Sequence, residues 1–113
     1  MIEMLNDMRK AEVRMQQQTA GWLTQDEMGY HFVYEKTYLE GFHPMAISLT
    51  MPLREESFDS LILFPFFDGL IPEGWLLDLA EKNWKLDPRD RMGLLMACCK
   101  DCIGAVSIVP INE

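Results

Sequence analysis

The apolar residues of this chain keep a strand-like period of two through its first third and change to a helix-like period after Pro72. That one change orders the fold: strands first, helices later. Residues 11–15 alternate small or apolar with charged side chains, as a half-buried strand does, and 16–18 follow as a polar turn. Residues 19–23 read as a second strand, with Gly21 marking a bulge or a close backbone approach. Residues 24–29 form a polar, turn-rich link, and 30–34, aromatic and β-branched, a third strand. Strands spaced about ten residues apart suit an antiparallel meander.

Residues 35–43 fit a single helical turn, and 44–52, apolar between Pro44 and Pro52, read as another strand. Residues 53–60 are polar and acidic and read as an exposed loop, its acidic stretch 54–59 either solvated or set to meet a basic partner surface. The run 61–67 carries too many bulky apolar groups to lie in solvent, and Asp68-Gly69 is a turn. Pro72 and Glu73 suit a first helical turn, after which Leu76, Leu79, Ala80 and Trp84 repeat at helical spacing up to Lys85. Asp87 as N-cap and Pro88 as first helical residue open a second helix. Asp90 adds a first-turn negative charge there, and Met92, Leu95, Met96 and Cys99 form the buried stripe. After Gly104, residues 105–109 alternate as a closing strand that ends before Pro110. The expected fold is therefore α+β: a small antiparallel sheet, meander plus closing strand, with two helices in the C-terminal half. Residues 8–113 form one domain, and 1–7 read as an N-terminal extension ahead of a second possible start at Met8.

Composition narrows the function classes. A hydrophobic fraction of 49% with 25% charged residues supports a packed core rather than a disordered tail. With 18 acidic against 10 basic residues and no basic run, the chain would repel phosphate backbones, which argues against direct nucleic-acid binding. No apolar tract approaches the roughly 20 residues that cross a bilayer, and the start has no signal-peptide core. Cys98, Cys99 and Cys102 are too crowded for a secreted disulfide framework, so the expected compartment is the reducing cytoplasm.

Little in the chain resembles catalytic machinery. It has no glycine-rich phosphate loop, no Walker-type motif and no His-Arg-Asp; Phe67-Asp68-Gly69 has the wrong order for a magnesium-binding Asp-Phe-Gly. The serines sit in no Gly-x-Ser-x-Gly elbow. Cys99 and Cys102 have the spacing of a zinc half-site or a redox pair, but His31 and His43 are distant and isolated, and the pair falls at a helix C-terminus, where the dipole opposes a thiolate. They read as structural cysteines, the histidines as strand or loop residues, and no metal or cofactor is expected. Trp75 stands roughly 90° from the centre of its helix's apolar stripe. A ring there either anchors an interface or folds back over Phe66 and Phe67. Trp22 and Trp84 read as core.

Four stretches together resemble the N-terminal subdomain of HipA-family kinases: Val13 with 20–23, 47–53, 65–74 (Pro-Phe-Phe-Asp-Gly-Leu-Ile-Pro-Glu-Gly) and 101–105 (Asp-Cys-Ile-Gly-Ala). The last two are specific, and all four fall in the family's order. HipA kinases continue for several hundred residues that hold nucleotide and catalysis, whereas this chain stops at Glu113. Free-standing domains of this kind occur in three-component HipB–HipS–HipT toxin–antitoxin systems. The resemblance thus implies a non-enzymatic antitoxin that inhibits a HipT-like serine/threonine kinase, with a HipB-like DNA-binding protein in the same complex. It implies a partner-binding set of Phe66, Phe67, Asp68, Pro72, Glu73, Gly74 and Trp75. Two other classes compete: a non-inhibitory subdomain needed for folding or assembly of a HipA-like kinase, and a small redox enzyme using Cys99 and Cys102.

Overall fold

A computed structural model describes residues 9–71, 89–98 and 105–111. Five strands form one antiparallel sheet: β1 (Arg9–Met15), β2 (Gln18–Asp26), β3 (Gly29–Tyr34), β4 (Phe58–Ser60) and β5 (Val106–Ile111), in spatial order β4-β3-β2-β1-β5. The expected meander is β1-β2-β3, and the closing strand returns antiparallel beside β1. Two single-turn helices, α1 (Lys36–Leu39) and α2 (Pro65–Asp68), and the longer α3 (Arg91–Cys98) complete the described elements. The small α+β fold expected from the sequence is the one observed. Of its two C-terminal-half helices, α3 is the second; the first, with Trp84, lies outside the described residues.

Strict alternation decides which side of the sheet is dry. Ala11, Val13, Leu23, Phe32 and Ile108 are fully buried, while their neighbours in sequence Glu12, Trp22, His31 and Ser107 stay partly exposed. The register slips between Val13 and Arg14, so both Ala20 and Gly21 turn inward. Gly21 makes the close approach expected of it: a Cβ there would strike the Val33 carbonyl and lie 2.7 Å from the Phe32 ring. Phe32 centres the core, with ring centroids 4.9 Å from Tyr34 and 5.7 Å from Phe67.

Several expectations are corrected. The link at 24–29 is shorter than read, because β2 runs on to Asp26 and only Glu27 and Met28 turn. Residues 44–52 form no strand and hold only a bridge between Ser48 and Met51. Phenols take up several of their backbone groups instead of a ladder. The Ile47 N–H donates to Tyr34 Oη at 3.0 Å, Tyr34 Oη–H donates to the Met51 carbonyl, and Tyr38 Oη–H donates to the Met45 carbonyl at 2.6 Å. Burial pushes the Tyr34 phenol above its usual range, with the Ile47 N–H pulling the other way. Within the supposed loop 53–60, residues 58–60 are the edge strand β4, paired through Tyr30↔Ser60 and Phe32↔Phe58. The run 61–67 is only partly buried: Leu63, Phe64 and Phe67 enter the core, but Leu61 and Ile62 face solvent on a bend held by the Ile62 N–H to Ser60 Oγ. Trp22 lies on the outer face rather than in the core, with Lys10 Nζ 4.8 Å above its ring and its indole N–H on Glu35. β5 continues through Pro110, which pairs with Ala11, because an edge strand tolerates a missing donor.

Candidate functional site

The part of the expected partner-binding set that the structure describes is α2. Pro65 opens it with a pre-set φ, and the Asp68 and Gly69 N–H groups close the turn onto the Phe64 and Pro65 carbonyls at 2.9 Å. Phe67 is completely buried, between Phe32, Phe64 and Phe66, so it supports a surface rather than forming one. Phe66 is half-buried with its ring 5.2 Å from that of Phe67. Asp68 points the other way, its Oδ1 accepting from Arg91 Nε at 2.6 Å. Pro72, Glu73, Gly74 and Trp75 lie outside the described residues.

The Asp68–Arg91 pair ties α2 to the start of α3, and a second fork ties α3 to the sheet. The helix start was expected at Asp87, which with Pro88 lies outside the described residues; Asp90 is the residue that caps α3. Its Oδ1 accepts the Gly93 N–H at 3.2 Å while its backbone carbonyl accepts the Leu94 N–H. Arg9 grips the same carboxylate bidentately at 2.9 and 2.7 Å and also reaches Gln25 Oε1. That guanidinium holds the Asp90 carboxyl below the usual carboxylate range, helped by the Gly93 N–H and opposed by desolvation. Met92, Leu94 and Leu95 then bury α3 against the core; the sequence had named Met92 and Leu95 and missed Leu94. Cys99 and Cys102 lie outside the described residues.

His31 sits on β3, Nδ1 2.6 Å from Asp59 on β4 and Nε2 3.0 Å from Asp26 at the end of β2. Both ring nitrogens can donate only in the imidazolium, so the two carboxylates raise the His31 pKa, and His31 lowers theirs. This cross-strand clamp went unread in the sequence because its members sit on three strands. His43 is a loop residue at positive φ, its ring 4.1 Å from that of Phe42. Among the described residues no group of His, Cys, Asp and Glu is arranged to hold a metal ion.

The other feature missed is apolar exposure. Met28, Phe42, Met45, Leu49, Leu61 and Ile62 all project into solvent. Large exposed apolar groups concentrated in turns are what an interaction surface offers, and they supply no chemistry of their own. The signal available was run length: residues 61–67 lack alternation, and one side of a thin sheet cannot bury them all.

Comparison with known proteins agrees with this geometry. A family model described as the HipA N-terminal domain matches residues 11–109. A protein of Haemophilus influenzae, described as uncharacterized, is 32% identical over 100 residues, covering 88% of this chain and 91% of its own. A putative kinase, Y4mE, of Sinorhizobium fredii is 29% identical over 94 residues, covering 82% of this chain but 22% of the kinase. A solved structure, the N-terminal domain of HipA toxin, superposes with a TM-score of 0.73 at 27% identity, covering 93% of this chain and 94% of that one.

Proposed function

The chain belongs to the HipA N-terminal domain family, and from that premise we propose that it is a non-catalytic binding module that holds a HipT-type serine/threonine kinase inactive. The observation that carries this proposal is a contrast of coverage: the match takes in 91% of the Haemophilus protein but 22% of the Sinorhizobium kinase. A domain of this extent therefore occurs both as nearly a whole protein and as one segment of a kinase. In this proposal a separate copy of such a segment seats on a kinase body that lacks it. Exposed apolar groups in turns, a fully engaged histidine and the homology to the N-terminal domain rather than to the kinase domain support binding over catalysis.

In this proposal α2 and the segment after it, with Trp75 as the anchoring ring, lie toward the nucleotide cleft and obstruct its closure. The setting is cytoplasmic, and a HipB-like protein supplies DNA contact. Among the described residues no helix is long and apolar enough to cross a membrane.

The test is co-expression with a HipA-type kinase that lacks its own N-terminal domain, followed by growth and by phosphate transfer with the purified pair. Growth should recover and transfer should fall. The share of the Sinorhizobium kinase given to this domain favours a second reading, a structural subdomain that the kinase needs in order to fold. Under that reading co-expression deepens toxicity instead.

A further inference from the structure

Two turns distant in sequence meet at one corner of the sheet. Gly29, at φ +122°, lies so close to the bend after β4 that a Cβ on it would strike the Ser60 carbonyl and stand 3.1 Å from Leu61 Cα. Met28 precedes that glycine, and Leu61 and Ile62 form that bend. They are exposed by 74%, 85% and 69%, so three large apolar side chains project from the one junction. The hairpin turn that carries Met28 is held by its N–H on Asp26 Oδ1 at 2.8 Å. His31 bridges that aspartate to Asp59 on β4, just before the bend, fixing both turns relative to each other.

The rim of this corner is acidic. Asp26, Glu27 and Asp59 lie along it; the facing cations are His31, shared between two of them, and Arg54, whose guanidinium is stacked 3.7 Å from the Phe58 ring centroid. A second copy of this chain is a poor occupant, because a two-fold contact would set the three carboxylates against their own copies. An apolar hollow edged by lysine and arginine is complementary in both respects.

We infer that the Met28–Leu61–Ile62 corner is a pre-formed docking knob for an apolar, basic-rimmed hollow on the kinase partner; this rests on the function proposed above. The His31 bridge is its positioning device: it touches no partner atom but holds the two turns in one shape, which lowers the ordering cost of association.

Calorimetry with a HipA-type kinase lacking its N-terminal domain tests it. Leu61→Ser with Ile62→Ser, both on exposed groups, should leave the circular dichroism spectrum unchanged and weaken binding about 10- to 100-fold. Glu27→Lys should weaken it several-fold at low salt and hardly at all at 1 M salt. If the wild-type chain binds and the double variant binds as tightly, the knob is wrong while the function stands. If the wild-type chain binds no such kinase, the function itself fails. A wild-type dimer in sedimentation that the double variant abolishes would assign the corner to self-association and overturn the proposal.

Discussion

Asp90 is asked to do two things at once, and three substitutions separate them. Its Oδ1 caps α3 through the Gly93 N–H, and both oxygens receive the Arg9 fork. Replacing a capping aspartate by alanine costs about 1 kcal/mol. The ion pair is worth less than its geometry suggests, because the two side chains remain 30% and 39% exposed, and water screens it to about 0.5 kcal/mol. Asp90→Ala should therefore cost about 1.5 kcal/mol. Unfolding 113 residues releases about 240 cal/mol/K of entropy, so the midpoint should fall by about 6 °C. Asp90→Asn keeps a good cap and loses only the charge, so it should fall by about 2 °C, and that loss should shrink in 1 M salt. Asp90→Glu keeps the charge but not the capping geometry and should lie between. Differential scanning calorimetry of the three variants reads the series directly. If asparagine proves as damaging as alanine, the cap contributes nothing and the account of how α3 begins is wrong. The consequence reaches the candidate site, because Arg91, the first residue of α3, is what holds Asp68 on α2.

Two further predictions follow from the same geometry, and a third concerns Trp75, outside the described residues. The His31 clamp has its carboxylates lowered from 3.8 and its imidazole raised from 6.5, so its contribution is full between those values. It is lost as pH rises through the raised imidazole pKa and as pH falls through the lowered carboxylate pKa. The midpoint difference between wild type and His31→Gln should therefore be largest near pH 5 to 6 and vanish in alkaline buffer; a pH-independent difference would contradict the imidazolium assignment. Tyr34→Phe deletes the hydroxyl that both receives the Ile47 N–H and donates to the Met51 carbonyl, leaving two buried groups unpaired. Urea unfolding should show a loss of about 2 kcal/mol, and a loss under 0.5 kcal/mol would mean that residues 44–52 have other partners. Trp75→Ala should weaken neutralisation of the kinase in a growth assay while the domain still folds; full protection by the variant would remove Trp75 from the inhibitory surface.

The elements legible in the sequence were those whose pattern is local. β1, β2, β3 and β5 each alternate over several residues, and α3 repeats at helical spacing, so each announces itself within one window. β4 does not, because three residues among serines and acids give no period, and only pairing with β3 makes them a strand. Residues 44–52 mislead for the opposite reason: their composition suits a strand, but their hydrogen-bond partners are tyrosine hydroxyls distant in sequence. Trp22 reads as core because it lies on a strand, but alternation with the buried Leu23 places it on the other face. Of the site, the sequence marks Asp68-Gly69 as a turn but not the helical turn α2 that Pro65 opens before it, and the acidic corner had no signature. It exists only because Gly29 lets two turns touch, and no single stretch of chain records that.

The function proposed above is that this domain restrains a separate phosphotransferase by docking on it. The most direct measurement is ATP turnover and autophosphorylation by a purified HipA-type kinase that lacks this domain, titrated with the intact chain and run beside the chain alone. A saturable loss of phosphate transfer at a stoichiometric ratio, with no turnover by the chain alone, is the expected result. Unchanged transfer at saturation, or hydrolysis of ATP by the isolated chain, would contradict it.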